Sequence, residues 1–390
     1  MNTYDIQFYD LLSRAGISGA KQLQGFIDEV VMQKYNNLDI EGFAFAPEMQ
    51  LEFTYEQVQK ELGLNPMAAY VDLDSDTVPD GKAGATIHRG TIPRMKKVEF
   101  YNEDKYRKML ILEQRFGANS DRAMKAAVRD LFITSDNLIG GHINSLSYQR
   151  HQLVSTGKFT ITQQNNPNGS LHGTTFASHV PTANVNTLTG QQRWWTDAAK
   201  TIEGTAADPI ANLVEIVDIS RRNGIRGHFE VNYNHLTKTL KHSKVVANIG
   251  INILPAADAT AQASYAGNLS RNRKKEIFAE LVGAPIVERE HLVATQVYNK
   301  TTKAMENKVV DAFEENVFVF VPDGNIGEVI TVEPIAIAGG TYAQFLDGRG
   351  LLTVDVDAVK KCQGFHTEMT SLLVPSMPQT WRYLYTNPTA

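Results

Sequence analysis

The residues with chemistry to offer are ten histidines, one cysteine and a few acidic clusters. His235 and His242 lie seven apart in a stretch expected to be helical, which would put them on one face. No third ligand is near in sequence, and a zinc site needs three or four, so surface or capping roles are the expectation. Asp72, Asp74 and Asp76 alternate along an extended stretch and offer oxygens to calcium. The glycine and terminal glutamate of an EF-hand loop are missing. Glu288, Glu290 and His291 cluster between expected strands and read as a solvated turn. Cys362 stands alone, which excludes a disulfide within the chain and argues against a cysteine-based zinc site. It reads as a small buried hydrophobe before a nucleophile. Trp194 and Trp195 read as packing anchors, with a carbohydrate platform as the alternative. There is no P-loop, GxSxG, HExxH or dinucleotide fingerprint. The chain is therefore expected to be no enzyme, with no catalytic residue, cofactor or metal assigned.

What stands out instead is geometry. Pro79-Asp80-Gly81-Lys82-Ala83-Gly84 has turn chemistry. It is flanked by Val71, Leu73 and the strand-favouring run 85–92. This predicts a long two-stranded excursion, and an isolated hairpin is marginal in water. If its own chain does not cover it, a neighbouring subunit must. Arg89, Arg94, Lys96 and Lys97 would give the return strand a positive face; a solvated strand edge guarded by lysines is the other reading. Asn119 to Gly157 then reads as one helix, roughly 55 Å long. Asn119 and Ser120 are N-cap types, Asp121 suits the helix dipole, and Gly157 supplies the stop. Met124, Val128, Leu131, Leu138, Ile139, Ile143, Leu146 and Leu153 recur at helical spacing. Gly140 and Gly141, in its middle, cost about 2 kcal/mol of helix propensity. They predict a bend or the close approach of a neighbouring backbone, unless two helices turn there.

Around these, the chain reads as an arm over 1–45 with helical pieces at 5–14 and 20–35, and a turn-rich connector over 37–47. A short helix is expected over 53–63. Strands are expected at 158–162 and 174–180, and a helix opens at Asp208-Pro209 and ends at Gly224. Further on come a strand at 227–231, a helix at 232–242, a strand at 251–254 and a helix at 271–283. Strands at 285–287, 293–299, 317–322 and 328–332 follow, the last two joined as a hairpin by Asp323-Gly324. Leu351–Val356 and a proline-broken region over 370–384 complete an α+β chain. Its 390 residues suit two domains or one elongated molecule, and 42% hydrophobic with 21% charged residues is an ordinary folded composition. A net charge of −5 shows no dedicated DNA-binding surface. Neither a signal peptide nor a membrane span is expected.

The ordered series then carries a resemblance. It runs from the hairpin and long helix through Val154-Ser155-Thr156-Gly157-Lys158-Phe159 to the Trp pair and the Asp-Pro helix. Gly227-His228-Phe229-Glu230-Val231-Asn232-Tyr233-Asn234-His235-Leu236 follows, then Leu281-Val282-Gly283-Ala284-Pro285-Ile286-Val287 and Val321-Pro322-Asp323-Gly324. Over roughly residues 50 to 390 this resembles the major capsid proteins of tailed bacteriophages, in particular the lambda-type major head protein E family with the Hong Kong 97 fold. The resemblance implies an N-arm over 1–48 and an extended E-loop with flanks over 49–116. A P-domain with its spine helix would cover 117–190, an A-domain 191–345, and a return to the P-domain 346–390. It implies a shell protein that self-assembles into hexamers and pentamers around packaged double-stranded DNA, without sequence-specific binding. Portal and scaffold or decoration proteins would be partners, with assembly in the host cytoplasm and a place in the virion. Asp80, Gly81, Lys82, Arg89, Arg94, Lys96, Lys97, Gly140 and Gly141 are the expected assembly residues. Some members of the fold cross-link a loop lysine to an asparagine. Lys82, Lys96 and Lys97 lie on the proposed loop, but no motif assigns a partner, and no bond is predicted. An encapsulin-type compartment, a tail-tube or baseplate protein, and an enzyme of unrecognised α+β fold are the alternatives.

Overall fold

The computed structural model describes residues 12, 15–17, 19–35, 40–60, 85–101, 103–116, 121–167, 169–290, 292–299, 304–336, 341–357 and 362–387. Asp80, Gly81, Lys82, the Asp72–Asp76 series, His291, the helix caps Asn119 and Ser120, and most of the 5–14 helix lie outside them.

In chain order, α1 (Ala20–Phe26) is followed by β1 (Phe43–Phe45), β2 (Thr54–Lys60), β3 (Ala85–Thr91) and β4 (Arg94–Tyr101). Then come α2 (Glu103–Phe116), α3 (Asp121–Thr156), β5 (Lys158–Thr160), β6 (Thr175–Ala177), β7 (Val185–Thr187), α4 (Pro209–Arg222) and β8 (Gly227–Asn232). Four helices follow: α5 (Tyr233–Thr239), α6 (Ser243–Ile253), α7 (Ala259–Asn268) and α8 (Arg271–Val282). The rest is β: β9 (Ile286–Arg289), β10 (Leu292–Asn299), β11 (Ala304–Asp311), β12 (Val317–Pro322), β13 (Gly327–Val332), β14 (Thr341–Phe345), β15 (Gly350–Asp357), β16 (Cys362–Pro375) and β17 (Arg382–Tyr385). The α+β class expected from the sequence is the class observed.

The chain forms two compact units. The first takes the described residues of Met1–Tyr55, Arg89–Ser147 and Glu328–Val374; the second takes those of Glu56–His88, Tyr148–Gly327 and Pro375–Ala390. In the first, a six-stranded sheet runs β1-β13-β16-β15-β14, with β4 also paired to β16. β15 and β16 form a hairpin from Gly350↔Met369 to Asp357↔Cys362. The residues α3 gives this unit bury Leu131, Leu138, Ile139 and Leu146 as the spacing predicts, but Ala127 is buried in place of Val128, and Val128 and Ile143 are only partly covered. Each fully buried leucine contributes about 2 kcal/mol of transfer free energy. His142 of α3 reaches Thr367 of β16 at 2.9 Å and packs its ring 5.7 Å from Phe345.

In the second unit a five-stranded sheet runs β7-β17-β12-β8-β9. β12 is antiparallel to both β8 and β17, while β8 pairs parallel with β9. Its core holds both expected tryptophan anchors: Trp194 stands 5.2 Å from Phe318, and Trp195 is 4% exposed. Asp208 caps α4 by accepting from the Ala211 N–H, with Pro209 in the first turn where no N–H is missed. Ser270 caps α8, and Gly283, at φ +78°, stops it.

Four expectations fail. The segment from Thr54 is strand β2, paired with β3, not a helix: Thr54, Tyr55 and Val58 are residue types that favour strands. Residues 251–254 finish helix α6, whose Val245 and Ile249 are buried one turn apart. The Asp323-Gly324 turn forms, with Gly324 at φ +94°, but β12 and β13 enter different sheets and make no hairpin. The 232–242 helix is shorter than expected: α5 ends at Thr239, and His242 instead caps α6 by accepting from the Lys244 N–H. The connector at 37–47 contains β1, and α2, α7, β11 and β14 were not anticipated. The long helix is continuous from Asp121 to Thr156 and stops at Gly157, φ +71°.

Candidate assembly residues and the buried charge cluster

Strand alternation splits the expected basic cluster. Along β4, Arg94, Lys96, Val98 and Phe100 point to the exposed face, while Lys97 and Glu99 point inward. The exposed face is not simply positive. Register sets Lys96 opposite Glu368 of β16, and Glu368 takes Arg94 at 2.5 Å and Lys96 at 3.6 Å. Beside them His366 meets Asp355 at 2.9 Å. The positive face read from four basic residues is thus corrected by acids supplied from strands far along the chain. Val98 and Phe100 remain 44% and 42% exposed there. The return strand is also corrected. After Ile92-Pro93 it continues as β4 and pairs with β16 from Arg94↔Thr370 to Tyr101↔Gln363, so its own chain covers this part. β2 and β3 remain a separate two-stranded ribbon carrying Arg89.

Lys97 turns toward α3. Its Nζ donates to the Asn137 carbonyl at 2.6 Å and to Asn137 Oδ1 at 3.2 Å. The aliphatic stem lies on the glycine pair: a Cβ on Gly141 would fall 2.8 Å from Lys97 Cδ, and one on Gly140 would fall 3.0 Å from Tyr35 Oη. Side chains, rather than the expected neighbouring backbone, therefore make the close approach. Tyr35 in turn donates to Asp136 at 2.6 Å. Partial burial lowers the Lys97 ammonium below its ordinary range, against the opposing pull of Glu99. Burial, with the Lys97 charge nearby, lowers His142 to about 4, so it is neutral at pH 7. Sequence reading singled out Lys97 and the glycines separately; Tyr35, Asn137, His142 and Thr367 carried no local signal.

The second unit buries an ionic cluster. Arg150 and Glu230 are each 1% exposed and form a two-point pair, one arm at 2.6 Å. Arg289 adds a bond to Glu230 at 2.8 Å, and His228 lies 3.5 Å from Glu230 and 2.9 Å from Asp323. Burial opposes ionisation of Glu230, but Arg150, His228 and Arg289 outweigh it and hold the carboxyl well below its usual range. The hydrogen bond to Glu230, and then Asp323, raises His228. The sequence signal was a lone acid inside the apolar strand Gly227–Asn232.

His235 is fully buried, with Lys200 Nζ 3.4 Å from Nδ1 and Thr386 Oγ1 2.8 Å from Nε2. Its ring stacks near Trp194 at 6.0 Å. Burial keeps it neutral, and it shares no face with His242. Glu288 is no solvated turn: it lies on β9 and takes Arg271 and Lys275, each at 2.7 Å. Cys362 is free and buried. Among the described residues no three His, Cys, Asp or Glu side chains could hold a metal ion. None of their helices is long and apolar enough to cross a membrane.

No protein-family model matches the sequence, and no curated protein matches it. The solved structures similar to it include phage capsid proteins and a virus-like particle from Pyrococcus furiosus, the last at 8% identity and TM-score 0.36, covering 93% of this chain and 99% of that one. One is the putative capsid protein of a prophage of E. coli CFT073, at 11% identity, TM-score 0.47, covering 94% of this chain and 98% of that one. Another is the satellite phage P4 procapsid including size determination (Sid) protein, at 10% identity, TM-score 0.45, covering 93% and 91%. A third is the mature capsid of bacteriophage PhiM1, at 12% identity, TM-score 0.43, covering 90% and 88%. Likeness at this level assigns neither activity nor assembly to this chain.

Proposed function

We propose that this chain is a shell subunit: a major capsid protein of the Hong Kong 97 type that closes into hexamers and pentamers around packaged double-stranded DNA. One observation carries the reading. Three two-stranded ribbons, β2–β3, β5–β6 and β10–β11, are each paired only internally among the described residues. Two-stranded sheets are marginal in water without a surface to cover them. Copies of the same molecule would supply that surface, across interfaces of the size that stable assemblies bury. The absence of a catalytic constellation in the sequence agrees with a structural role.

In this reading residues 1–48 act as arm, 49–116 as extended loop, 117–190 as spine-bearing domain, 191–345 as axial domain and 346–390 as the return. Arg89, Arg94, Lys96, Lys97, Gly140 and Gly141, with Asp80, Gly81 and Lys82 at the loop tip, lie on the segments that adjust between hexamer and pentamer. Portal and scaffold or decoration proteins would be further partners, with assembly in a host cytoplasm. Negative-stain microscopy and size-exclusion chromatography of the expressed chain test the reading. Closed shells or capsomer rings are expected; a monomer or small oligomer overturns it. Shells filled with a cargo enzyme, or open tubes, would move the assignment to a compartment or a tail protein.

A further inference from the structure

His228 and Asp323 meet at the turn by which the chain leaves the second unit. The crossing into the first unit falls between Gly327 and Glu328. Just before it β12 ends at Pro322, and residues 323–325 form an exposed turn with Gly324 at φ +94°. Both ends of the turn are fixed. At its root β12 lies so close to β8 that a Cβ on Gly227 would fall 2.2 Å from the Val321 carbonyl oxygen. At its far end Ile326 is buried, and its carbonyl accepts from the Ser376 N–H at 2.9 Å. Between them Asp323 makes two contacts. Its N–H donates to the Arg226 carbonyl at 3.1 Å, and its Oδ1 accepts from His228 Nδ1 at 2.9 Å.

The other ring nitrogen faces the core. Alternation along β8 puts His228 and Glu230 on one side of the strand, and Nε2 lies 3.5 Å from Glu230 Oε1. His228 thus stands between two carboxylates, one 62% exposed on the turn and one 1% exposed inside. Only the imidazolium has an N–H for each; a neutral ring has one N–H and one lone pair. The groups around it keep their charge. Arg150 of α3 and Arg289 of β9 bind Glu230, and arginine does not deprotonate in proteins. β12 sets the uncharged Val321 opposite His228, burial holds the nearby Tyr383 phenol of β17 protonated, and Arg226 points its side chain to solvent. When the ring loses its proton, one carboxylate must face the lone pair. At Glu230 that mismatch would act where water does not reach, and an unmatched polar contact is costly there. At Asp323 water takes over, because an exposed pair is worth little more than its hydration. The remaining N–H therefore stays with Glu230, and Asp323 is let go. Glu230 first, and then Asp323, raise His228 above the ordinary histidine range against the opposing effect of burial. The proton is held below that raised value and leaves as pH climbs through it.

We propose that protonated His228 is a pH-sensitive latch: it holds the Asp323 turn against the second unit, and loss of its proton frees residues 322–325, slackening the connector that leads into the first unit. The latch belongs to the single chain and does not depend on the shell reading. Deuterium exchange of the His228 ring Cε1–H, read by mass spectrometry on a fragment that separates it from His235, gives the midpoint of its titration. Amide exchange at Asp323, corrected for the intrinsic effect of pH, reads whether the turn is seated. Both are measured on the full chain as wild type, Asp323→Asn and His228→Gln. In the wild type His228 titrates above about 6.5, and the Asp323 amide loses protection through the same midpoint. In Asp323→Asn the His228 midpoint falls by about one pH unit, a roughly tenfold change in proton affinity. By linkage the wild-type turn loses about the same tenfold factor of protection across the titration. In His228→Gln this amide is poorly protected throughout and shows no step. Val319, inside the β12 ladder, stays unchanged in all three and reports that the sheet is intact. A wild-type Asp323 amide with no step across the His228 titration overturns the latch, and so does a His228 midpoint that Asp323→Asn leaves in place. If His228→Gln does not fold, the other two proteins decide by those same two results.

Discussion

Replacing Gly141 by alanine should destabilise the first unit, although alanine is the better helix former. The propensity gain is about 1 kcal/mol. Against it, the new Cβ would sit 2.8 Å from Lys97 Cδ and 2.9 Å from its Nζ. The flexible end of the lysine must shift, and a shift of Nζ breaks the charge-assisted bond to the Asn137 carbonyl at 2.6 Å. Such bonds contribute about 1.5–3 kcal/mol, so the net effect is a loss of about 1 kcal/mol. A double-mutant cycle isolates the cause. In a Lys97→Ala background the same Gly141→Ala change should stabilise by about 1 kcal/mol, a coupling of roughly 2 kcal/mol between the two positions. Amide exchange of residues 138–146, which lie in this unit, reads local stability without requiring the whole chain to unfold in one step. Equal stabilisation in both backgrounds would sink the reasoning: the glycine would then be there for flexibility, not for room.

Further outcomes follow from the same contacts. His142 stays neutral when folded, with its value lowered to about 4 against 6.5 unfolded. The stability it secures is complete above 6.5 and is lost as pH falls toward 4, on the order of 3 kcal/mol; His142→Gln should flatten that limb of a pH–stability curve, and an unchanged slope counts against burial of the ring. Arg150→Met takes the two-point partner from the Glu230 carboxylate and leaves it Arg289 and His228; it should cost about 1–3 kcal/mol in urea unfolding of the second unit, below the roughly 3–5 kcal/mol of a wholly unpaired buried charge, and no loss at all would mean that water reaches the pair. Glu230, held low, lends stability above its ordinary range that disappears as pH falls, so Glu230→Gln should blunt acid unfolding of this unit. Trp194→Ala should cost about 3–5 kcal/mol, whereas Arg94→Ala, at an exposed pair, should cost no more than about 1 kcal/mol.

The long helix was legible because its pattern is local: cap types, three-and-four spacing and a stop glycine all lie within one stretch. So were α4 and α8, each bounded by a capping residue and a glycine. Where partners came from afar, reading failed. Arg94 and Lys96 look like a basic patch until β16 brings Glu368 beside them. The run from Thr54 has mixed propensity, and pairing with β3 decided for strand. Asp323-Gly324 turns the chain as its residue types require, but nothing local says that the strands on either side join different sheets. Residues 251–254, Ile-Asn-Ile-Leu, are mostly apolar and half β-branched, and the helix that absorbs the first three of them begins with His242 as an unusual cap.

β16 has a consequence for the order of events during synthesis. It flanks β15 on one side and, on the other, β4 and the β13 side of the same sheet. Arg94 and its partner Glu368 are 274 residues apart in sequence. At roughly 5–20 residues per second, a ribosome would leave β4 waiting some 15–55 s for its neighbour. Contacts of such long range also form slowly once available. The first unit therefore cannot close before β16 has emerged. Until then, nascent chains crowded on one messenger lack a finished sheet of this unit to offer one another.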